Sequence, residues 1–169
     1  MKIVIDKLPD LQALYVKELR LLLSAEEMIA IKAPVMAETA QDPELIQLFR
    51  KHEQETEVHA SRLREILLRA TGEAVSLKCK VVYSLFDEVE DLIEDAAHAP
   101  VRDVALVTEA QRIEHYEIAA YGALRQFAHA LGLDEDAQLL DQSLHDEGRE
   151  SRRLALISER IYPAARLAA

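Results

Sequence analysis

The sequence predicts an all-α fold: a single domain over residues 1–169, built as a four-helix bundle whose one long crossover connection carries a fifth, shorter helix. Three observations predict it. Apolar residues recur at helical spacing along almost the whole chain, with no serious strand alternation in competition. Breakers are scarce, with 4 Gly and 5 Pro in 169 residues, while Leu, Ala, Glu and Arg dominate and Trp is absent. Those breakers mark two short connections and one long one, the wiring of two antiparallel helical hairpins joined by a crossover.

The first helix should run from about Pro9 to Ala40, with Pro34 inside it to kink it or loosen a turn. Asp42-Pro43-Glu44 then reads as a helix start, with Asp as N-cap, Pro at the first helical position and an acid in the first turn. The second helix spans about 43–70 and ends at Thr71-Gly72. A short helix over about 80–97 lies in the crossover, and His98-Ala99-Pro100 separates it from a long helix at 101–131. Gly132 stops that helix, Asp134 can cap the last one at 134–160, and Tyr162-Pro163 closes it. The opening Ile3-Val4-Ile5 is too short to build a sheet.

Charge and cysteine content narrow the function classes. The net charge of −11 repels phosphate backbones and anionic membranes, so neither nucleic acid nor membrane is an expected partner. No apolar run reaches the ~20 residues a bilayer needs. The start, MKIVIDKLPD, does not read as a signal peptide, and the single cysteine, Cys79, fits a reducing compartment. A cytoplasmic protein is the expectation, with Cys79 outside the bundle and inert. There is no Gly-rich phosphate loop, no Cys-x-x-Cys and no His-Glu-x-x-His.

The informative feature is that four apolar stripes are interrupted at mid-length by ionisable residues. Glu26 sits among Leu22, Ile29, Ala33 and Met36, while His52, Glu55 and His59 continue the row of Leu45, Leu48 and Ile66. Glu114 and Glu117 lie between Val107, Ala110, Tyr121 and Leu124, and Glu147 between Ala137, Leu140, Leu144 and Leu154. Residues three or four apart share a helix face, so these groups meet at one level if the helices pack by their stripes. A lone carboxylate in a core costs several kcal/mol or titrates to neutral. Several carboxylates converging with imidazole can instead neutralise two cations, and an oxygen-rich site of that kind suits iron, or else manganese. Two-metal carboxylate bundles combine a Glu from each of two helices with a Glu-x-x-His from each of the other two.

Four segments in order carry a family resemblance: Ser24-Ala25-Glu26, His52-Glu53-Gln54-Glu55-Thr56, Glu114-His115-Tyr116-Glu117-Ile118 and Leu144-His145-Asp146-Glu147. Over about Leu11 to Ile157, with the crossover helix and the Asp103-Val104-Ala105-Leu106 entry to the long helix, the chain resembles the ferritin-like stress proteins of the YciF/YciE type. The resemblance implies a ferritin-like bundle with a two-metal site. It also ranks His52 above His59, through the His-x-x-Glu-Thr motif. The usual pattern puts His three residues after Glu, and counting from Glu55 and Glu147 those places hold Val58 and Glu150. The standard ferroxidase ligand set is therefore incomplete.

The expected metal set is Glu26, His52, Glu55, Glu114, Glu117 and Glu147. Glu55 and Glu147 bridge, Glu26 and Glu117 are terminal ligands, and His52 and Glu114 complete the shell. His59 could ligate, support a ligand or sit at the rim, and Glu150 is a weak candidate because Ser151 falls closer to the stripe. Tyr121, one turn past Glu117, is either an ordinary core residue or a hydrogen-bond donor to a ligating carboxylate. His115 points about 100° away from Glu114 and should pack or hydrogen-bond elsewhere. The expected function is a two-metal protein of stress response, handling iron or peroxide. The alternative is a non-enzymatic structural or adaptor dimer with an optional metal site. A homodimer is expected, with Val81, Val82, Leu85, Phe86 and Leu92 of the crossover helix as the pairing face.

Overall fold

Local chemistry sets several of the helix ends. The computed structural model describes residues 7–166 and contains α1 (Leu11–Thr39), α2 (Pro43–Thr71), α3 (Lys80–Asp95), α4 (Ala99–Ala130) and α5 (Asp134–Arg166). The Ile3-Val4-Ile5 segment lies outside the described residues. Asp10 caps α1, accepting the Ala13 N–H at 2.8 Å. Asp42 caps α2 through the N–H groups of Glu44 and Leu45, with Pro43 in the first turn. Gly72 and Gly132 both adopt positive φ, 77° and 72°, and turn the chain out of α2 and α4.

Two boundaries differ from expectation. The last helix continues through Pro163 to Arg166 instead of closing at Tyr162-Pro163. Pro163 removes one hydrogen bond, to the Glu159 carbonyl, and that turn is exposed, so water takes the partner's place. The long helix starts at Ala99, with Pro100 inside its first turn, where a missing N–H costs nothing.

The bundle is governed by four buried rows whose members step by four and three residues in alternation. Along α1 they are Tyr15, Leu19, Leu22, Glu26, Ile29, Ala33 and Met36; along α2, Leu45, Phe49, His52, Thr56, His59, Leu63 and Ile66. On α4 the row is Asp103, Val107, Ala110, Glu114, Glu117, Tyr121, Leu124 and Ala128; on α5, Asp136, Leu140, Ser143, Glu147, Glu150, Leu154, Ile157 and Ile161. That seven-residue period is the seam of knobs-into-holes packing. α1 lies along α2 and α4 along α5, with α2 meeting α5 and α1 meeting α4 to close the four-helix core.

Polar clamps tie both ends. At one end Asp103 accepts the N–H groups of Gln41 and Asp42 at 2.9 and 2.8 Å, locking the α1–α2 loop onto α4, and Arg160 reaches from α5 to Asp42 and Glu44. At the other, buried Asp136 accepts from Tyr15 at 3.1 Å and from Arg69 at 2.7 Å, joining α1, α2 and α5. The crossover is pinned along α1: Leu77 donates to the Arg20 carbonyl, Ser76 to Glu27, and the Cys79 N–H to Ser24.

α3 packs on α4 and α1, burying Val82, Phe86 and Val89. The face expected to pair with a second chain is thus partly spent inside the fold, because α3 is the cover of the α1–α4 groove. Cys79, expected outside the bundle, is also part of the core; it is 3% exposed, with Sγ 3.1 Å from the Tyr116 hydroxyl.

Replacing Asp103 by Ala should cost about 2 kcal/mol, since it strands two loop N–H groups beneath α4. Urea unfolding checks this, with helical circular dichroism unchanged in native buffer.

Candidate metal centre

The four rows carry their ionisable residues to one level, midway between the two end clamps. Glu26, Glu114, Glu117, Glu147 and Glu150 are all within 2% of complete burial, and His52 and His59 are buried beside them. Each is placed by its heptad position. The backbone turns them inward with the same periodicity that turns Leu22, Leu63, Leu124 and Leu154 inward above and below.

Two triads of ligand-type atoms result, each with its atoms within 4.8 Å of one another: Glu26, His59 and Glu147, and His52, Glu114 and Glu147. Glu147 belongs to both. His59 Nδ1 lies 2.7 Å from Glu147 Oε1 and 3.8 Å from Glu26 Oε1, without the alignment of a hydrogen bond. His52 stands 3.5 Å from Glu114 and 3.9 Å from Glu117 by its two ring nitrogens. Glu117 lies 3.9 Å from His52, and both its oxygens lack a hydrogen-bond partner among the described residues.

Supporting contacts orient these groups from outside. Tyr121 donates its hydroxyl proton to Glu26 and meets the His59 ring edge-on, with centroids 5.8 Å apart. His59 Nε2 lies 3.3 Å from Asp146, which Arg62 and Arg149 hold in turn. A ring whose Nε2–H is taken by a carboxylate turns its Nδ1 inward, where it can ligate once it gives up its proton, the arrangement that makes histidine a metal ligand.

The sequence-derived candidates divide on inspection. Glu26, His52, Glu114, Glu117 and Glu147 come together. Glu55 does not join either triad: it sits at the rim, with Oε1 accepting from Lys51 at 2.7 Å and Arg149 at 3.1 Å. The inward residue of that turn is Thr56, fully buried, and Val58 is about half exposed. Counted from Thr56, the residue three places on is His59, so a histidine stands where a Glu-x-x-His pattern needs it and Thr56 stands in the glutamate's place. Glu150 is buried where Ser151 was expected, and Glu27 bonds Arg64 and Ser76 on the outer face. His115 is exposed and donates to the Gln111 carbonyl at 2.7 Å. Asp146 and Thr56 were missed as candidates. The signal for Thr56 was the unbroken alternation Leu45, Phe49, His52, Thr56, His59, Leu63; nothing in the spacing marks Asp146, which lies off the row.

The electrostatics show what such a layer demands. Burial raises Glu26 from 4.5 to about 8, with the Glu147 charge adding to it and His59 opposing it. Burial and the Glu147 charge push Glu114 and Glu117 well above the carboxylate range. His52 is lowered by burial. His59 is lowered by burial too, but contact with Glu147 and the charge of Glu26 outweigh this and lift it to about 9. Without metal, the upward shifts all favour protons as the counter-charge. The donor set also fits metal cations: Glu26, Glu114 and Glu147 each keep at least one buried oxygen without a partner, as do the Nδ1 atoms of His52 and His59.

Fold and site together define a ferritin-like four-helix bundle with a carboxylate- and imidazole-lined core. The chain belongs to the DUF892 family, described as a domain of unknown function, whose family model matches residues 10–166. It is 33% identical over 125 residues to protein YciF of Escherichia coli K12, covering 73% of this chain and 75% of YciF. The crystal structure of the E. coli stress protein YciF superposes with a TM-score of 0.87 at 28% identity, covering 92% of this chain and 98% of that one. YcfI, a putative structural protein from Rhodopseudomonas palustris, superposes at 0.86 with 29% identity over 89% and 96% of the two chains. A Xanthomonas campestris protein shares the fold at 0.76 and 22% identity, over 92% of this chain and 96% of that one.

The raised groups set the pH response of the metal-free protein. A group whose folded pKa is raised contributes stability that is complete below its unfolded value and lost as pH rises through the folded one. Glu26, Glu114, Glu117 and His59 all act in this sense, whereas His52 acts oppositely but only below its ordinary 6.5. The lowered Asp42 and Asp146 act below their ordinary 3.8. The melting temperature of chelator-treated protein should fall between about pH 7 and pH 9, and fall less in Glu26→Gln. A melting temperature that climbs over that interval would contradict this assignment.

Proposed function

We propose that the centre holds two metal ions, iron or alternatively manganese, and that the protein works in a stress response by handling iron or peroxide in the cytoplasm. The observation that supports this most is the pair of ligand triads sharing Glu147. Glu26 and His59 would hold one ion and His52 and Glu114 the other, with Glu147 common to both and Glu117 between them. A bound pair of redox-active ions supplies one-electron steps toward dioxygen or peroxide.

The chain's own residues do the rest. Tyr121 fixes Glu26, and Asp146 sets the tautomer of His59. Burial favours protons on Glu26, Glu114 and Glu117, and contact with Glu147 favours one on His59, so metal uptake at these groups would release protons to solvent. Leu22, Leu63 and Leu124 bury one side of the layer and Leu154 lies on the other. In the expected scheme Glu55 was a second bridge; its rim position makes it a poor one, and Thr56 cannot supply the missing carboxylate.

A second reading follows from the description of the R. palustris relative as a putative structural protein. In it the bundle is an interaction module and metal is optional. Oxygen or peroxide consumption on adding ferrous iron separates the two: no turnover with the fold intact favours the structural role.

Metal analysis after purification from iron-supplemented cells should find about two ions per chain, one per triad. Glu26→Ala combined with Glu147→Ala should abolish binding while leaving helical circular dichroism in place. Less than one ion per wild-type chain would sink the proposal.

A further inference from the structure

The rim of the centre carries charge that this ligand set leaves unused. Glu150 is 1% exposed; Lys51 Nζ donates to its Oε1, Arg153 lies 3.4 Å from the same oxygen, and its Oε2 has no hydrogen-bond partner among the described residues. Glu55 contributes from α2. Its Oε1 takes Lys51 at 2.7 Å and Arg149 at 3.1 Å, and its Oε2 is likewise buried and unpartnered. One ammonium therefore binds two carboxylates, each with a second, idle oxygen. The Lys51 side chain is 40% exposed, so it reaches from solvent to a buried carboxylate.

That arrangement is poor as a static ion pair and suitable as a held place. Burying carboxylate oxygens without partners is costly, and the arginines reach only the oxygens Lys51 already uses. A divalent cation could engage oxygens of both carboxylates with twice the charge of the ammonium. The position also adjoins the inner centre. Glu150 is one turn from Glu147 on the same row, and its charge acts on both His52 and Glu114.

We propose that Glu55 and Glu150 form an outer divalent-cation site at the α2–α5 seam, occupied by the Lys51 ammonium until a metal ion displaces it on the way to the inner centre. Its destination rests on the two-metal reading above; the outer site itself does not. Lys51 is then a stopper: it neutralises the rim of the empty protein and swings to solvent when a cation arrives. No covalent step is involved, and the exchange is cation for cation.

The test is Mn²⁺ titration of the chelator-treated full chain, followed by the resonance of free Mn²⁺, with stopped-flow uptake alongside. Lys51→Met should bind one equivalent more than wild type and, with the blocking positive charge gone, take up metal about tenfold faster. Lys51→Arg, which keeps the charge, should behave as wild type. Lys51→Met with Glu150→Gln should lose the extra equivalent and keep the inner ones, and circular dichroism verifies the fold of each variant. Equal stoichiometry and equal rates in wild type and Lys51→Met would overturn the outer site while leaving the inner centre standing. One equivalent in Lys51→Met and none in wild type would uphold the outer site and remove the inner centre; none in either would remove both.

Discussion

Five glutamates buried at one level of a helical bundle, on α1, α4 and α5, impose the condition to which everything around them answers. Carboxylates at these separations in a low-dielectric core cannot all stay ionised without compensating positive charge. The chain offers several sources at once. Burial favours protons on the raised glutamates, the charges of Glu26, Glu147 and Asp146 favour a protonated His59, and Lys51 reaches in at the rim. Metal cations would replace the protons in the same geometry. The layer is thus a charge balance with interchangeable counter-ions, which is the physical basis for reading it as a binding centre and not as a structural network.

Such a layer would destabilise a bundle that had nothing else to hold it. Here the apolar stretches of the four rows lie above and below, and each end is closed by a polar clamp whose groups are satisfied: Asp103 with the α1–α2 loop, Asp136 with Tyr15 and Arg69. Neither clamp shares a residue with the centre. The strain of the middle is carried by a frame whose ends are independently secured, and α3 with the pinned crossover covers the α1–α4 side. Membership of the DUF892 family and the likeness to YciF set this frame among the bundles of that family.

The fold was largely legible in the sequence, because helix boundaries follow local rules. Asp42-Pro43, Gly72 and Gly132 act on their own turns, whatever the rest of the chain does. Glu26, Glu114, Glu117 and Glu147 were legible for a related reason: each is flanked on both sides, at heptad steps, by apolar residues that can only face inward. The second helix was not so clear. Leu48 and Phe49 are both buried, so two neighbouring rows compete for the inward direction; choosing Leu48 brings Glu55 in and choosing Phe49 brings in Thr56, while His59 lies on both. A rotation of about 100° per residue makes that choice decisive and invisible in one helix taken alone.

What the sequence by itself determined is the set of elements and the meeting of acids with apolar stripes, since both depend on interactions within a few residues along the chain. What only the tertiary structure decided is the phase: which side of α2 faces α5, that Glu150 lies inside, that Cys79 and the apolar face of α3 are covered, and that Asp146 stands behind His59. These depend on where a neighbouring helix places its own side chains. A helix can rotate about its axis at little local cost, so contacts from residues far away in sequence fix the angle.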